Sequence, residues 1–212
     1  MKALAHKSKH YRQDSRGRHR IYIPMNVYDF DKTIYDGDST QRFLVFLIRR
    51  RPRLVMKLPG LAVNALLFGL KLRGKQDFKE RMFRSFFAGV SDIYAMLDAF
   101  WDANMDGVKR WYAAVRRDDD VVITASPVDI VRPCCERLGI KRVLGSPVDM
   151  KTGRYAGPNC HGQEKVRRFG AEFPGETVDD FYSDSHSDDP MARVAKRAFM
   201  IKGEEIAPWI FK

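Results

Sequence analysis

Cysteine is scarce in this chain of 212 residues, which has only Cys134, Cys135 and Cys160. Adjacent cysteines do not easily bridge to each other, and none of the three has the spacing of a metal site. The composition therefore excludes a disulfide scaffold, and we interpret the cysteines as reduced thiols of a cytoplasmic protein. A catalytic cysteine is the weaker alternative, because no nucleophile motif surrounds any of them.

An apolar leader is also lacking at the N-terminal end of the sequence. Residues 1–25 contain seven Lys or Arg and a single acid, Asp14. Such a segment cannot bury enough apolar surface to fold alone, so we expect residues 1–20 to form a basic, disordered tail. The alternative is an arm that holds the protein close to a polyanion.

Acidic residues are outnumbered, because 27 Asp and Glu face 38 Lys and Arg, for a net charge of +11. A basic protein of this kind is attracted to phosphorylated partners such as nucleic acid, anionic lipid headgroups or phosphorylated metabolites. Binding to nucleic acid has only the charge in its favour, so we do not expect it. The length suffices to bury a sizeable core.

Short apolar runs alternate with helical patterns along most of the chain. The predicted strands are Val27–Phe30, Val121–Thr124, Arg142–Leu144, Val178–Tyr182 and Ala198–Lys202. The predicted helices between them are Pro127–Leu138, Gln163–Phe173 and Pro190–Lys196, and Ser146–Asn159 has the pattern of a hairpin. This alternation predicts an α/β fold with a doubly wound parallel sheet. We interpret Asp118-Asp119-Asp120, before the second strand, as a solvated turn.

The first two predicted strands lie too far apart for a single crossover. Apolar residues recur at helical spacing through this segment and predict four helices. We therefore expect an inserted α-helical domain at residues 37–117, and a core domain formed by residues 21–36 and 118–212.

Acidic and polar side chains stand where the predicted strands end, namely Asp29, Asp31, Thr124, Asp184 and Asp188. The carboxyl ends of parallel strands meet at one edge of a sheet, so these side chains should lie together. Several carboxylates repel one another unless a cation lies among them, and oxygen ligands suit Mg²⁺. With a lysine and a hydroxyl group, such a site could bind a phosphoryl group and attack phosphorus with a carboxylate.

These residues resemble the four motifs of the haloacid dehalogenase (HAD) superfamily of phosphohydrolases, from Val27 onward. The matches in chain order are Asp29, Asp31 and Thr33 for Asp-x-Asp-x-Thr, Thr124 for the hydroxyl residue, Lys165 for the lysine, and Asp184 with Asp188 for the last motif. The long helical segment after the first motif resembles the cap of phosphoserine-phosphatase-like members. A weaker likeness, to HAD-type phosphatidylglycerophosphate phosphatases, rests on Arg-Arg-Arg-Pro and the apolar helices near it.

The resemblance implies a role for each matched residue. Asp29 would be the nucleophile, and Asp31 would protonate the leaving alcohol and then deprotonate water. Thr124 and the amide of Ala125 would bind phosphate oxygens, with Lys165 as the balancing cation.

It also implies how a Mg²⁺ ion would be held. The ligands would be Asp29, Asp184 and the main-chain carbonyl of Asp31. Asp188 would orient Lys165 or a metal-bound water, while Thr33 completes the first motif.

One departure from the motif concerns Lys32, where many members have glycine. Asp31-Lys32-Thr33 also resembles the phosphorylated Asp-Lys-Thr of P-type ATPases, which would make Asp31 the nucleophile. With Asp29 as the first residue, the position four along is Thr33, as the HAD motif requires, whereas with Asp31 it is Tyr35. We therefore expect Asp29 to be the nucleophile.

The sequence leaves two substrate classes, a small phosphorylated metabolite and a lipid phosphate. The segment from Arg42 to Lys75 has nine basic residues and no acid, and it also contains a long apolar stretch. This segment could be an ordinary cap, or it could contact an anionic membrane through residues 1–25 and 42–75, at the inner face of the membrane. The alternative to an enzyme is a non-catalytic module of the same fold that binds anionic lipid or nucleic acid.

Overall fold

The computed structural model describes residues 10–13, 19–22 and 25–211. Its strands are β1 (His10–Gln13), β2 (His19–Tyr22), β3 (Met25–Tyr28), β4 (Val121–Pro127), β5 (Arg142–Ser146), β6 (Val148–Asp149), β7 (Arg154–Tyr155), β8 (Val178–Ser183), β9 (Ala195–Lys202) and β10 (Glu205–Pro208). The α-helices are α1 (Ser39–Arg50), α2 (Leu58–Gly69), α3 (Lys75–Phe86), α4 (Ile93–Asp102), α5 (Arg110–Val115), α6 (Val128–Arg137), α7 (Gln163–Glu172) and α8 (Asp189–Val194). Short 3₁₀ helices cover Pro52–Lys57, Met105–Gly107 and His186–Asp188.

A six-stranded sheet with the order β10-β9-β8-β3-β4-β5 forms the centre of the molecule. All of its neighbouring strands are parallel except β10, which runs antiparallel to β9 at the edge. Strand β3 lies between β8 and β4, so the residues that follow it emerge at the middle of the sheet edge. The predicted α/β fold with a doubly wound parallel sheet is confirmed.

The two faces of the sheet bury different side chains. Val27 and Val121 belong to one hydrophobic cluster, while Tyr28 and Val122, the next residue on each strand, belong to the other. This alternation follows from the two-residue period of a strand, and burial on both faces explains why the strands read as continuous apolar runs.

The segment between β3 and β4 is helical, as expected, but it contains five α-helices rather than four. Its apolar side chains share one cluster with a face of the sheet. Trp101 is fully buried there and donates from Nε1 to the carbonyl of Ile130 on α6, at 2.6 Å. The division into a domain of residues 37–117 and a core of residues 21–36 and 118–212 stays a prediction.

Several element boundaries differ from the sequence-based expectation. Strand β3 ends at Tyr28, so Asp29 and Phe30 lie in the loop after it. Strand β9 begins at Ala195, where the chain was expected to continue the helix to Lys196. The predicted hairpin is present as the antiparallel pair β6–β7.

Residues 10–13 and 19–22 pair as antiparallel strands β1 and β2. The expectation of a disordered tail over residues 1–20 was therefore wrong for the paired residues 10–13, 19 and 20. Residues 1–9 and 14–18, the rest of that predicted tail, lie outside the described residues. Within the part of the chain that the structure describes, no helix has the length and apolar character needed to cross a bilayer.

Candidate active site

The loop after β3 holds the two carboxylates of the first motif at the edge of the sheet. The amide of Asp29 donates to the carbonyl of Tyr182 on β8, at 2.8 Å. The carbonyl of Phe30 then accepts from the amides of Thr33, Ile34 and Tyr35 at 2.9–3.2 Å. This tight turn fixes the backbone that carries Asp29 and Asp31 beside β8.

Lys165 lies between two carboxylates. Its Nζ is 2.6 Å from Asp29 Oδ1 and 2.7 Å from Asp188 Oδ2, and all three residues are buried. Burial raises the pKa of Asp29 to about 7, although the Lys165 ammonium opposes this shift. Burial alone would lower the pKa of Lys165, but Asp29 and Asp188 outweigh it and raise that pKa, so the ammonium stays charged.

Asp188 also receives the hydroxyl hydrogen of Ser183, since Ser183 Oγ lies 2.8 Å from Asp188 Oδ2. Asp188 Oδ1 is buried and has no hydrogen-bond partner among the described residues. An acceptor oxygen in that state is costly in a folded protein unless another group binds there. Asp188 is thus held between Ser183 and Lys165, and its role in orienting Lys165 stays a prediction.

Asp31 is held by groups on two other elements. The amide of Ser39, at the start of α1, donates to Asp31 Oδ1 at 2.7 Å, and the hydroxyl of Ser126 donates to Oδ2. Thr40 Oγ1 in turn donates to Ser126 Oγ at 3.1 Å. Burial and the nearby Asp38 raise the pKa of Asp31, against the effect of the Ser126 and Ser39 hydrogen bonds. A raised pKa favours the protonated form that a general acid needs.

Ser39 and Ser126 were not among the site residues that the sequence predicted. Ser126 is two residues beyond Thr124, in the run Thr-Ala-Ser. Its closeness to the motif residue Thr124 could have indicated that Ser126 belongs to the site. Ser39 had no comparable signal, because its role comes from its amide at the start of α1.

Thr124 and Ala125 both lie within β4, which continues to Pro127, whereas the sequence predicted that the strand ends at Thr124. Thr124 is fully buried, and its Oγ1 accepts from the amide of Ser126 at 3.1 Å. The carbonyl of Ala125 accepts from Ser146 Oγ and from Lys79 Nζ, both at 3.0 Å. These contacts fix the backbone at the end of the motif, which a phosphate-binding amide requires.

Lys79, on α3 of the helical insert, also belongs to the candidate site through its contact with Ala125, and the sequence did not predict it. Burial and the neighbouring Lys75 lower its pKa, whereas Asp38, Asp31 and Asp29 oppose that shift. The insert therefore contributes an ammonium group to the same electrostatic environment as the two motif carboxylates. The pattern of α3 offered no signal for it, because many of the residues around it are charged.

Lys32 has φ of 59°, in the left-handed region that favours glycine. Its amide donates to the carbonyl of Gly37 at 3.0 Å, and its own carbonyl accepts from the ammonium of Lys109. This conformation gives a physical reason for the glycine found in many members. Lys32 adopts the left-handed conformation because hydrogen bonds hold both its amide and its carbonyl.

The expected metal ligands are hard oxygen donors. Burial raises the pKa of Asp184 as it does that of Asp29, and Lys32 opposes the shift at Asp184. Two poorly solvated carboxylates and a main-chain carbonyl fit Mg²⁺. Among the described residues no group of three His, Cys, Asp or Glu is placed to hold a metal, so any ion here would depend on the carbonyl and on water.

Two expectations receive no support from contacts in the site. Thr33 is buried, but its hydroxyl has no hydrogen-bond partner among the described residues, and its carbonyl accepts from Trp111 Nε1 at 3.2 Å. The cysteines are buried, and burial raises the pKa of Cys134 to about 12 and that of Cys160 to about 11. Such thiols are poor nucleophiles, which speaks against the alternative of a catalytic cysteine.

Solved structures with a similar fold include three bacterial proteins. A protein of unknown function from Bordetella pertussis Tohama I has a TM-score of 0.69 and 18% identity, over 82% of this chain and 88% of that one. A HAD family hydrolase from Salmonella enterica serovar Typhi has a TM-score of 0.60 and 12% identity, over 81% and 60%. A phosphoserine phosphohydrolase-like protein from Francisella tularensis has a TM-score of 0.56 and 11% identity, over 82% and 85%. At these identities the likeness concerns the fold.

No curated protein sequence matches the chain. The model of the haloacid dehalogenase-like hydrolases matches residues 27–193, which include all four motifs. The resemblance inferred from those motifs is thereby confirmed, and so is the expectation of an enzyme of the hydrolase class. The chain belongs to the haloacid dehalogenase-like hydrolase family.

Proposed function

We propose that the protein is a Mg²⁺-dependent phosphatase that hydrolyses a phosphate monoester through an aspartyl-phosphate on Asp29. The observation that carries this proposal is the buried Lys165 ammonium, which contacts Asp29 at 2.6 Å and Asp188 at 2.7 Å. A fixed cation beside a carboxylate favours the ionised form of that carboxylate and compensates the charge of an incoming phosphoryl group.

In the first step, an oxygen of Asp29 forms a bond to phosphorus as the bond from phosphorus to the substrate oxygen breaks. Asp31, whose pKa is raised, gives its proton to the departing alcohol. In the second step, Asp31 takes a proton from water as that water attacks phosphorus, and the bond to Asp29 breaks. Thr124 and the amide of Ala125 bind the phosphoryl oxygens in both steps.

Asp29, Asp184 and the main-chain carbonyl of Asp31 would hold the Mg²⁺ ion. When bound, the ion would supply positive charge against the phosphoryl oxygens and the clustered carboxylates. The ion pair of Lys165 and Asp188 does not depend on the Mg²⁺ ion. In this pair, Asp188 keeps the ammonium of Lys165 directed at Asp29.

The substrate class is a phosphorylated small molecule or a lipid phosphate, and the cytoplasmic location inferred from the thiols is part of the same proposal. Contact of residues 1–25 and 42–75 with an anionic membrane is compatible with either class. The competing proposal is a non-catalytic module that binds anionic lipid or nucleic acid on this fold.

The test is hydrolysis of an aryl phosphate by the full chain, first after treatment with a chelator and then with Mg²⁺ restored. We expect turnover only with the metal, and loss of at least about a thousandfold in Asp29→Asn, because the nucleophile is gone. The matched control is Asp36→Asn, an exposed acid of the same loop whose side chain is 75% exposed. Its activity should stay within about twofold of the wild type.

Two outcomes would contradict the proposal. Equal turnover by Asp29→Asn would remove Asp29 as the nucleophile, and equal turnover without metal would remove the Mg²⁺ requirement. The absence of turnover on a panel of phosphate esters, together with retained binding of anionic vesicles, would favour the non-catalytic module.

A further inference from the structure

Helix α2 buries a polar side chain and exposes apolar ones. Asn64 is only 5% exposed, and its Nδ2 donates to the carbonyl of Phe78 on α3 at 2.9 Å. Leu66 is 61% exposed, and Leu72, just beyond the helix, is 69% exposed. A helix in contact with water normally has the opposite arrangement. The apolar side of α2 therefore calls for an apolar partner.

The exposed apolar surface extends over the whole segment Pro52–Leu72. Its prominent members are Met56, Val63, Leu66, Phe68, Leu70 and Leu72. We call this set the α2 apolar surface. A run of this size is larger than the scattered apolar side chains that any soluble protein exposes, so it marks an interaction site.

Cations flank the α2 apolar surface along the chain on both sides. Arg49, Arg50, Arg53 and Lys57 precede α2, while Lys71 follows it. None of these five forms an ion pair within 4.0 Å with an acid of the described residues, although Arg51 pairs with Asp92. Arg73, just after the surface, pairs with Asp77. The other five cations are not compensated by an ion pair in the described part of the chain, and they complement a negatively charged partner.

The chemistry selects a lipid surface over the other partners. A second copy of the chain would bring the same cations against each other across a symmetric contact. A membrane-spanning arrangement is excluded for α2, because its 12 residues extend only about 18 Å against about 30 Å of hydrocarbon. A short apolar helix with a basic rim suits the interface plane, where anionic headgroups lie beside acyl chains.

This surface also borders the candidate active site. Phe68 of α2 stacks on Phe78 of α3 with ring centroids 4.9 Å apart. The next residue, Lys79, donates to the carbonyl of Ala125 in the site. Two consecutive residues of α3 thus join the apolar surface to the phosphate-binding motif.

We infer that the α2 apolar surface docks in the headgroup region of an anionic bilayer and brings the active site to a phosphate at the membrane surface. The docking is independent of catalysis. The delivery of a lipid phosphate to the site rests on the proposed phosphatase function.

The test measures co-sedimentation of the full chain with phosphatidylcholine vesicles, with and without phosphatidylglycerol. We expect binding to the anionic vesicles only. The triple variant Val63→Ser, Leu66→Ser, Leu70→Ser should lose at least about tenfold in partition coefficient, since these exposed side chains contribute by insertion. The control Ile210→Ser removes an apolar side chain that is 78% exposed outside the surface, and it should bind as the wild type does.

The basic rim is tested in the same assay. Arg49→Gln with Arg53→Gln should lower binding by about fivefold for each charge, and Arg132→Gln, an exposed arginine on α6, should not. Circular dichroism of every variant shows that the fold is kept. The variant Asp29→Asn should bind vesicles fully, so a failure of docking and a failure of catalysis give different results.

Equal binding by the wild type and the triple variant would overturn the inference, and so would equal binding to neutral and anionic vesicles. A dimer in sedimentation velocity that the triple variant abolishes would assign the surface to a second copy instead.

Discussion

The ammonium of Lys109, just before α5 of the helical insert, donates a hydrogen bond to the main-chain carbonyl of Lys32 in the loop after β3. Lys109 is 5% exposed, and its own amide donates to the carbonyl of Ile34 at 2.8 Å. The insert thus holds the loop between Asp29 and Tyr35 through both the side chain and the backbone of one residue. The loop depends on these contacts because Lys32 has a left-handed backbone.

Replacing Lys32 by glycine should relieve this conformation. A non-glycine residue with a left-handed backbone costs about 1–2 kcal/mol, which exceeds the entropic cost of glycine in the unfolded chain. We expect Lys32→Gly to be more stable than Lys141→Gly, an exposed control without a positive φ, by about 1 kcal/mol in urea denaturation. A variant as destabilised as the control would show that the contacts of the Lys32 side chain matter more than its backbone.

Removing the central cation should destabilise the whole site. Lys165→Met leaves Asp29 and Asp188 buried without their shared partner, and breaking a buried pair in this way costs about 3–5 kcal/mol. We expect that loss in free energy of unfolding at pH 8, with a smaller loss at pH 5, where Asp29, whose pKa burial raises, can take up a proton. The exposed Lys141→Met is the control. An equal loss at both pH values would contradict the electrostatic origin.

Three of the four motifs could be placed in one site because each follows a predicted buried strand, and parallel strands bring their ends to one edge of a sheet. Asp29 and Asp188 were placed together on that basis, whereas Lys165 was added by its resemblance to the third motif. The structure has Lys165 in contact with both carboxylates. Lys79 was not predicted, since its position depends on how α3 packs against β4, and helical periodicity does not give that packing.

Burial was the other property that local sequence could not supply. Asp118-Asp119-Asp120 reads as a solvated turn, yet Asp120 is fully buried beneath Tyr112. The apolar residues of α2 fitted either an ordinary cap or a membrane contact, and most of them are exposed in the structure. In both cases the exposure of the side chains depends on how the helices of the insert pack, which the local sequence does not show.

The hydroxyl of Ser126 should be important for the proton transfer proposed for Asp31. It donates to Asp31 Oδ2 and lowers the pKa of that carboxyl group. Ser126→Ala should therefore reduce kcat by about tenfold and move the pH–rate profile to higher pH, with little change in KM. Ser91→Ala, an exposed serine before α4, should leave both unchanged. A lower kcat with an unmoved profile would indicate a purely structural role for Ser126.

Asp120 should make the protein less stable as the pH rises. Burial raises the pKa of Asp120 to about 6, against hydrogen bonds from the Arg117 amide at 2.9 Å and the Tyr112 hydroxyl at 3.1 Å. Above its ordinary pKa of 3.8 the unfolded chain releases this proton while the folded chain keeps it. The folded state then binds more protons, so stability falls as pH increases from about 4 to 6.

Asp120→Asn removes this titration. We expect the variant to show a shallower decrease between pH 4 and 6 than the wild type, since Asp29 and Asp31, whose pKa values are also raised, still titrate. It should gain at most about 3 kcal/mol over the wild type at pH 8, measured by urea denaturation. The neighbouring Asp118→Asn, an exposed acid, should follow the wild-type curve at every pH. If Asp120→Asn instead keeps the wild-type slope, another buried acid is responsible, and the carboxylate of Asp120 is fully compensated by its hydrogen bonds.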